Sequence, residues 1–214
     1  MAITTVLFDL DDTLTDAARF GASVLARAVE EHGHALAIEV IQHYPGAPYV
    51  PLIQRELSVD LDEATAIYET YVARYRSMMP GGLQPNPGAT ELLQALAARD
   101  MRLGLVTNKL EALAVEILGL FGWERLFGVV AGQDTCEFRK PHPGIVHYAL
   151  DVLAGNVEAT AFVGDTPSDM QCARTAGVPL VVGLLGTTEP EALTEAGATH
   201  LVPGLPSVLA VLGR

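Results

Sequence analysis

Lysine is almost missing from this chain: Lys109 and Lys140 are the only two, and the remaining eleven of its thirteen basic residues are arginine. Ordinary surface cations are therefore arginines, and the two ammonium groups are compact point charges of the kind that suits a phosphate or a carboxylate, where Lys and Arg do not interchange. Cysteine is equally scarce. Cys136 and Cys172 stand apart among polar neighbours, which excludes a disulfide framework and a thiolate metal site and leaves two free thiols expected in a reducing compartment. No apolar run approaches the ~18 residues that a membrane span needs, and the N-terminus has no basic start of the kind that opens a secretory signal, so a cytoplasmic protein is expected. Acid outweighs base to a formal net charge of −13, which argues against nucleic acid or an anionic membrane as partner, since both need clustered cations. An anionic small molecule would have to be held by local charge.

Half of the residues are hydrophobic, so a sizeable core is available, and its punctuation is informative. Val6, Leu7 and Phe8 form a short apolar run ending in Asp9, Leu10, Asp11, Asp12, Thr13, which predicts a buried strand delivering acids at its carboxyl end. Alternation along an extended chain puts Asp9 and Asp11 on one side. Two carboxylates so close repel unless a cation joins them, and hard oxygen ligands suit Mg²⁺; the bland alternative is an acidic loop or helix cap. A second strand, Leu103 to Val106, ends in Thr107 and Asn108. Arg139, Lys140, Pro141, His142, Pro143 opens a helix carrying Ile145, Val146 and Leu150. A third strand, Ala161 to Val163, leads into Gly164, Asp165, Thr166, Pro167, Ser168, Asp169.

Those four segments, Asp-x-Asp-x-Thr at 9 to 13, Thr107, Lys140 and Gly-Asp-x-x-x-Asp at 164 to 169, come in the order found in the haloacid dehalogenase superfamily of phosphohydrolases. The chain resembles that family over essentially its full length, in its phosphoglycolate-phosphatase-like branch. Family members resembling dehalogenases replace the second aspartate, so Asp11 points to phosphate chemistry. Those resembling phosphonatases use a cap lysine, and none lies before residue 109. Asp12 stands where many relatives carry Gly, a change compatible with a tight turn.

Phosphoryl transfer needs an in-line nucleophile, a cation to neutralise the phosphoryl oxygens and a proton donor for the leaving oxygen. Asp9 is the expected nucleophile, able to form an acyl phosphate. Asp11 is the expected acid and base, Thr107 and Asn108 the phosphate donors, and Lys140 the balancing charge. Asp9, a backbone carbonyl of Asp11, and Asp165 are expected to hold Mg²⁺, with Asp169 orienting its water or Lys140. Lys109 is left between a phosphate ligand and an ordinary surface lysine. These roles agree with what the resemblance implies. The expected enzyme is a Mg²⁺-dependent phosphatase of small phosphorylated metabolites, monomer or homodimer. A phosphosugar mutase of the same fold, an aspartyl-phosphate signalling receiver and a non-catalytic interaction protein stay open as alternatives.

From residue 88 onward helix and strand signals alternate: helix 89–99, strand 102–107, helix 109–120, strand 127–131, helix 142–153, strand 160–164, helix 167–176, strand 179–183. That pattern predicts an α/β, Rossmann-like parallel sheet with helices on both faces, its ligands at the carboxyl ends of the strands. The core is expected to comprise residues 1–15 and 86–214, and an inserted all-helical cap 16–85, with hinges near Thr15 and Gly81. In the cap, a helix from Phe20 to His32, further helices at 35–44 and 48–57, and one opened by Asp60 and Glu63 as a capping box are expected. Arg19, His43, Tyr44 and Arg55 are candidate substrate contacts, whereas Tyr68, Tyr71 and Tyr75 at helical spacing are expected to be core. His32, His34 and His43 lack the partners of a zinc site.

Overall fold

The computed structural model of the protein describes residues 2–42 and 49–213. His43, Tyr44 and Pro48 fall outside the described residues. Within them the chain divides into two compact units, one of Met1–Thr15 with Pro85–Arg214, the other of Asp16–Gln84.

The first unit is built on a parallel sheet. Its strands are β1 (Thr5–Phe8), β2 (Arg102–Val106), β3 (Val129–Ala131), β4 (Thr160–Gly164), β5 (Leu180–Leu184) and β6 (His200–Val202). They lie in the order β3-β2-β1-β4-β5-β6, and every neighbouring pair is parallel. β1 is central and wholly buried, which is why it reads as an unbroken apolar run rather than an alternating one. Leu7 faces Gly104 on one side and Phe162 on the other. A Cβ at Gly104 would stand 2.7 Å from Leu7 Cδ2 and 3.0 Å from Leu153 Cδ1, so glycine here lets both leucine side chains pack close to the strand backbone.

Helices follow the strands in turn: α5 (Ala89–Ala97), α6 (Glu111–Leu120), α7 (Gly144–Leu153), α8 (Pro167–Thr175), α9 (Pro190–Ala196) and α10 (Val208–Leu212). α7 packs on β2 and β3, and α8 on β4 and β5. Ile145, Val146, Ala149, Phe162, Met170 and Val181 join one buried cluster between them. The order of the strands reverses between β1 and β4, and in such sheets the crevice outside the strand ends at that switch point is the ligand position. Here the switch separates Asp9 from Asp165. Beyond residue 183 lie α9, β6 and α10, all too short to show a helix or strand period in the sequence.

The second unit is helical: α1 (Ala17–Glu31), α2 (Ile38–Gln42), α3 (Tyr49–Leu57) and α4 (Leu61–Gly82). α1 and α3 both pack against α4. Two of the three tyrosines of α4 are core: Tyr71 and Tyr75 are buried, and Phe20 meets Tyr75 edge-on at 4.9 Å, while Tyr68 is half-buried and stacks on Tyr71. Gly81, expected near a hinge, lies in the last turn of α4, which continues through Pro80 to Gly82. Only half of the anticipated capping box forms. Asp60 accepts from Glu63 N–H at 2.9 Å, while the Glu63 carboxylate turns to His34 Nε2 at 2.8 Å. His32 pairs instead with Thr70, so the described histidines of this unit have separate polar partners. Arg19 and Arg55 are exposed, and Arg55 pairs with Glu56.

Candidate active site

Adjacent strands of a sheet lie about 4.8 Å apart, so carboxylates leaving the ends of β1 and β4 must come close. Asp9, the residue after β1, donates its N–H to Val163 O at 3.0 Å, which continues the ladder by one step and fixes its direction. Oxygens of Asp9, Asp165 and Asp169 all lie within 4.8 Å of one another, and all three residues are buried. Asp169 reaches the cluster from the first turn of α8 because Gly164 leaves it room. A Cβ at Gly164 would stand 2.6 Å from the Cβ of Asp169.

Lys140 is the cation of this cluster. Its Nζ lies 2.6 Å from Asp9 Oδ1 and 2.6 Å from Asp169 Oδ1. The contact with Asp169 is a hydrogen bond, and that with Asp9 is a buried ion pair of the same length. The other Asp169 oxygen accepts from Thr166 N–H and Oγ1, and Thr166 caps α8 in a complete capping box with Asp169. Asp169 is thus held on both sides. Asp165 is held likewise, accepting at 2.7 Å from Thr13 Oγ1 and at 2.7 Å from Thr187 Oγ1.

Electrostatics follow from three buried acids around one ammonium. Burial, opposed by Lys140 and reinforced by Asp169 and Asp165, pushes the Asp9 carboxyl up to about 8. Burial and the Asp169 charge push Asp165 up to about 7. Burial alone would lower Lys140, but Asp169 and Asp9 outweigh it and hold the ammonium above its ordinary value. Taken as carboxylates, the cluster carries more negative charge than one lysine can balance, and an unbalanced buried charge is costly. A divalent cation fits that deficit. The donors are carboxylate oxygens, without His or Cys, the set that hard cations such as Mg²⁺ and Mn²⁺ prefer.

The remaining residues singled out in the sequence are placed nearby with some surprises. Thr107 is buried at the end of β2, and its Oγ1 accepts from Lys109 N–H at 3.2 Å. The Asn108 side chain, expected to face a phosphate, is instead spent on Lys140: it accepts from Lys140 N–H and donates to Lys140 O, both at 3.1 Å. This two-bond clamp fixes the backbone that presents the lysine. The Asp11 carboxylate lies outside the three-acid cluster; its Oδ2 binds Lys109 Nζ at 2.7 Å, and its Oδ1 is buried without a hydrogen bond. Lys109, for which the sequence leaves a phosphate ligand and a surface lysine open, therefore stands beside Asp11 with an 8 % exposed side chain. Nothing in the sequence marks Thr187, which lies 22 residues beyond its partner Asp165 in a loop without a recognisable pattern.

A parallel α/β sheet whose switch point gathers aspartates, a lysine and a threonine defines a phosphoryl-transfer type of site. Residues 6–182 match the model of the haloacid dehalogenase-like hydrolases, and the chain belongs to that family. It is similar to the phosphoglycolate phosphatase of Agrobacterium fabrum, with 34 % identity over 189 residues, covering 86 % of this chain and 81 % of the relative. The plasmid phosphoglycolate phosphatase of Cupriavidus necator is 30 % identical over 217 residues, covering 98 % and 93 %. The fold matches the crystal structure of a predicted phosphoglycolate phosphatase from Haemophilus somnus, with a TM-score of 0.87, 22 % identity and coverage of 98 % and 97 %. The chain is a phosphatase of this family, phosphoglycolate-phosphatase-like in sequence.

Proposed function

We propose that the protein hydrolyses the phosphate monoester of a small metabolite, phosphoglycolate-like or a phosphosugar, through an aspartyl-phosphate on Asp9. The observation that carries this reading is the Asp9–Lys140–Asp169 arrangement, in which a buried carboxylate at the switch point is flanked by a fixed ammonium 2.6 Å away. An Asp9 oxygen attacks the phosphorus in line, and the bond to the ester oxygen breaks. Asp11 gives its proton to the departing alkoxide, then takes one from the water that attacks the acyl phosphate, which frees Asp9 and inorganic phosphate. Acid and base help of this kind is worth about 10²- to 10⁴-fold.

Lys140 offsets the charge that Asp9 and the phosphoryl group bring together. Thr107 Oγ1 and the backbone N–H of Asn108 donate to the phosphoryl oxygens, an arrangement whose loss at one donor typically costs about 10²- to 10³-fold. Asp9, Asp165 and the carbonyl of Asp11 are the proposed ligands of Mg²⁺, with Asp169 acting on Lys140 and the ion's water. Bound there, the ion would supply Lewis-acid neutralisation of phosphoryl charge and favour the ionised form of Asp9. The helical unit, inserted after the first strand of the sheet unit, is proposed as the lid that selects the rest of the substrate.

Acid-quenching the enzyme during turnover and mapping phosphate by mass spectrometry tests this. Phosphate is expected on the peptide carrying Asp9, with inorganic phosphate released to water. Turnover with that peptide unlabelled throughout would sink the covalent mechanism. Isomerised phosphosugar without phosphate release would mark a mutase instead.

A further inference from the structure

Four successive backbone carbonyls after the first strand, those of Asp12, Thr13, Leu14 and Thr15, all accept hydrogen bonds from one residue, Asn86. Its Nδ2 donates to Asp12 O and Thr13 O at 2.9 Å and to Thr15 O at 3.3 Å. Its backbone N–H donates to Leu14 O at 2.9 Å. A carbonyl in a segment that is neither strand nor helix still needs a donor, and here a single asparagine supplies it for the whole turn. The partners are 71 to 74 residues distant in sequence, so the contact is tertiary rather than a local turn.

That turn presents the chemistry. Leu14 N–H and Thr15 N–H both donate back to Leu10 O, at 2.9 and 3.1 Å, and Asp12 adopts a left-handed φ of 60°, unusual for a residue with a Cβ. Between those anchors lie Asp11, proposed above as acid and base, and Thr13, whose Oγ1 holds Asp165 at 2.7 Å. We infer that Asn86 is a positioning residue for the active site: it holds the carbonyls of the turn and so sets where Asp11 and the Thr13–Asp165 contact stand. The inference rests on the proposed roles of Asp11 and Asp165. Its chemistry requires a donor group, since only the NH₂ end of the amide can face three carbonyl oxygens. Aspartate has nearly the same shape and would set acceptor against acceptor.

The test pairs Asn86→Ala with Asn86→Asp, each read by steady-state kinetics per folded molecule and by hydrogen exchange of the peptide spanning residues 10–15. Both variants are expected to lose about 10- to 100-fold in kcat, the usual cost of removing a group that orients a reacting one, with KM shifting by less than about threefold. Exchange at Leu14 and Thr15 is expected to quicken at least about tenfold, with the peptides of the central strands unchanged. Asn86→Ser, which keeps one short donor, is expected to fall between wild type and alanine on both readouts, and serves alone if the other two fail to fold. Wild-type kcat in Asn86→Asp, or in the serine variant wild-type exchange, would overturn the inference, because shape would then suffice. Hydrogen exchange needs no turnover, so an enzyme inactive on every phosphate monoester would defeat the phosphatase reading while leaving this one to stand or fall on exchange.

Discussion

Lys109 Nζ sits 2.7 Å from Asp11 Oδ2, so the chain's two lysines divide the two aspartates of its first motif between them, Lys140 taking Asp9 and Lys109 taking Asp11. Both ammonium groups act here as compact point charges on a carboxylate, a placement at which Lys and Arg do not interchange.

The first prediction separates the two. Lys140→Ala removes the cation that touches both Asp9 and Asp169, and kcat should fall about 10²- to 10³-fold. Lys109→Ala acts through the placement of Asp11 rather than on Asp9 and should cost about 10- to 100-fold. Lys140→Arg should recover little. Steady-state kinetics on one substrate decides the ranking, and a Lys109→Ala enzyme with wild-type kcat would reduce its ion pair to a structural detail.

β1, β2 and β4 were legible because each is short, apolar and ended by a chemical signature, while β3 and β5 showed only through their alternation with helices. Asp9, Thr107 and Asp165 were placed by that rule alone. The misses share a physical cause. Thr187 reaches Asp165, Asn86 reaches Thr13, and Asn108 turns to Lys140 through contacts made only once the chain has folded, and nothing in their local sequence marks the partner. β6 has three residues, one of them an exposed His200, too few to show alternation. Pro80 reads as a helix breaker, yet α4 runs through it to Gly82 before ending.

Asp9→Asn should abolish turnover, since an amide is a poor nucleophile, while leaving the protein folded. Stability should show the electrostatics. In the folded, metal-free protein the Asp9 carboxyl sits at about 8, above its unfolded value, so the native state binds the extra proton and stability falls as pH rises from the ordinary carboxylate range toward 8. The amide has no proton to lose. In EDTA, thermal melting of Asp9→Asn should therefore match or exceed wild type at pH 8, with the difference shrinking toward pH 4. A variant that melts far below wild type at pH 8 would contradict this.

Metal binding should be a proton-linked event at the same acids. Asp9 at about 8 and Asp165 at about 7 must both give up protons to bind a cation, so Mg²⁺ should raise the melting temperature more at pH 8 than at pH 6. A concentration of about 100 times Kd contributes about 2.7 kcal/mol. Thr13→Val and Thr187→Val each remove a donor that orients Asp165 and should weaken Mg²⁺ about 10- to 100-fold, readable by calorimetry without substrate. EDTA should abolish activity. A Mg²⁺ affinity untouched by both threonine changes would remove Asp165 from the proposed ligands.

Substrate choice is the last prediction, and net charge and the buried site jointly bear on it. Asp9 is only 5 % exposed and the neighbouring Asp165 2 %, and a site of that depth encloses most of a small ligand's surface. The chain's formal charge of −13 opposes the approach of polyanions, an effect that grows with the ligand's own charge and weakens as salt screens it. Across a phosphate-release panel, kcat/KM should be highest for a small phosphorylated metabolite, with phosphoglycolate and phosphosugars the leading candidates, and lowest for oligonucleotide ends. Raising ionic strength should narrow the gap to the polyanions without closing it, because screening removes the charge barrier but leaves the steric one. An oligonucleotide or phosphoprotein as best substrate at physiological salt would refute both parts together.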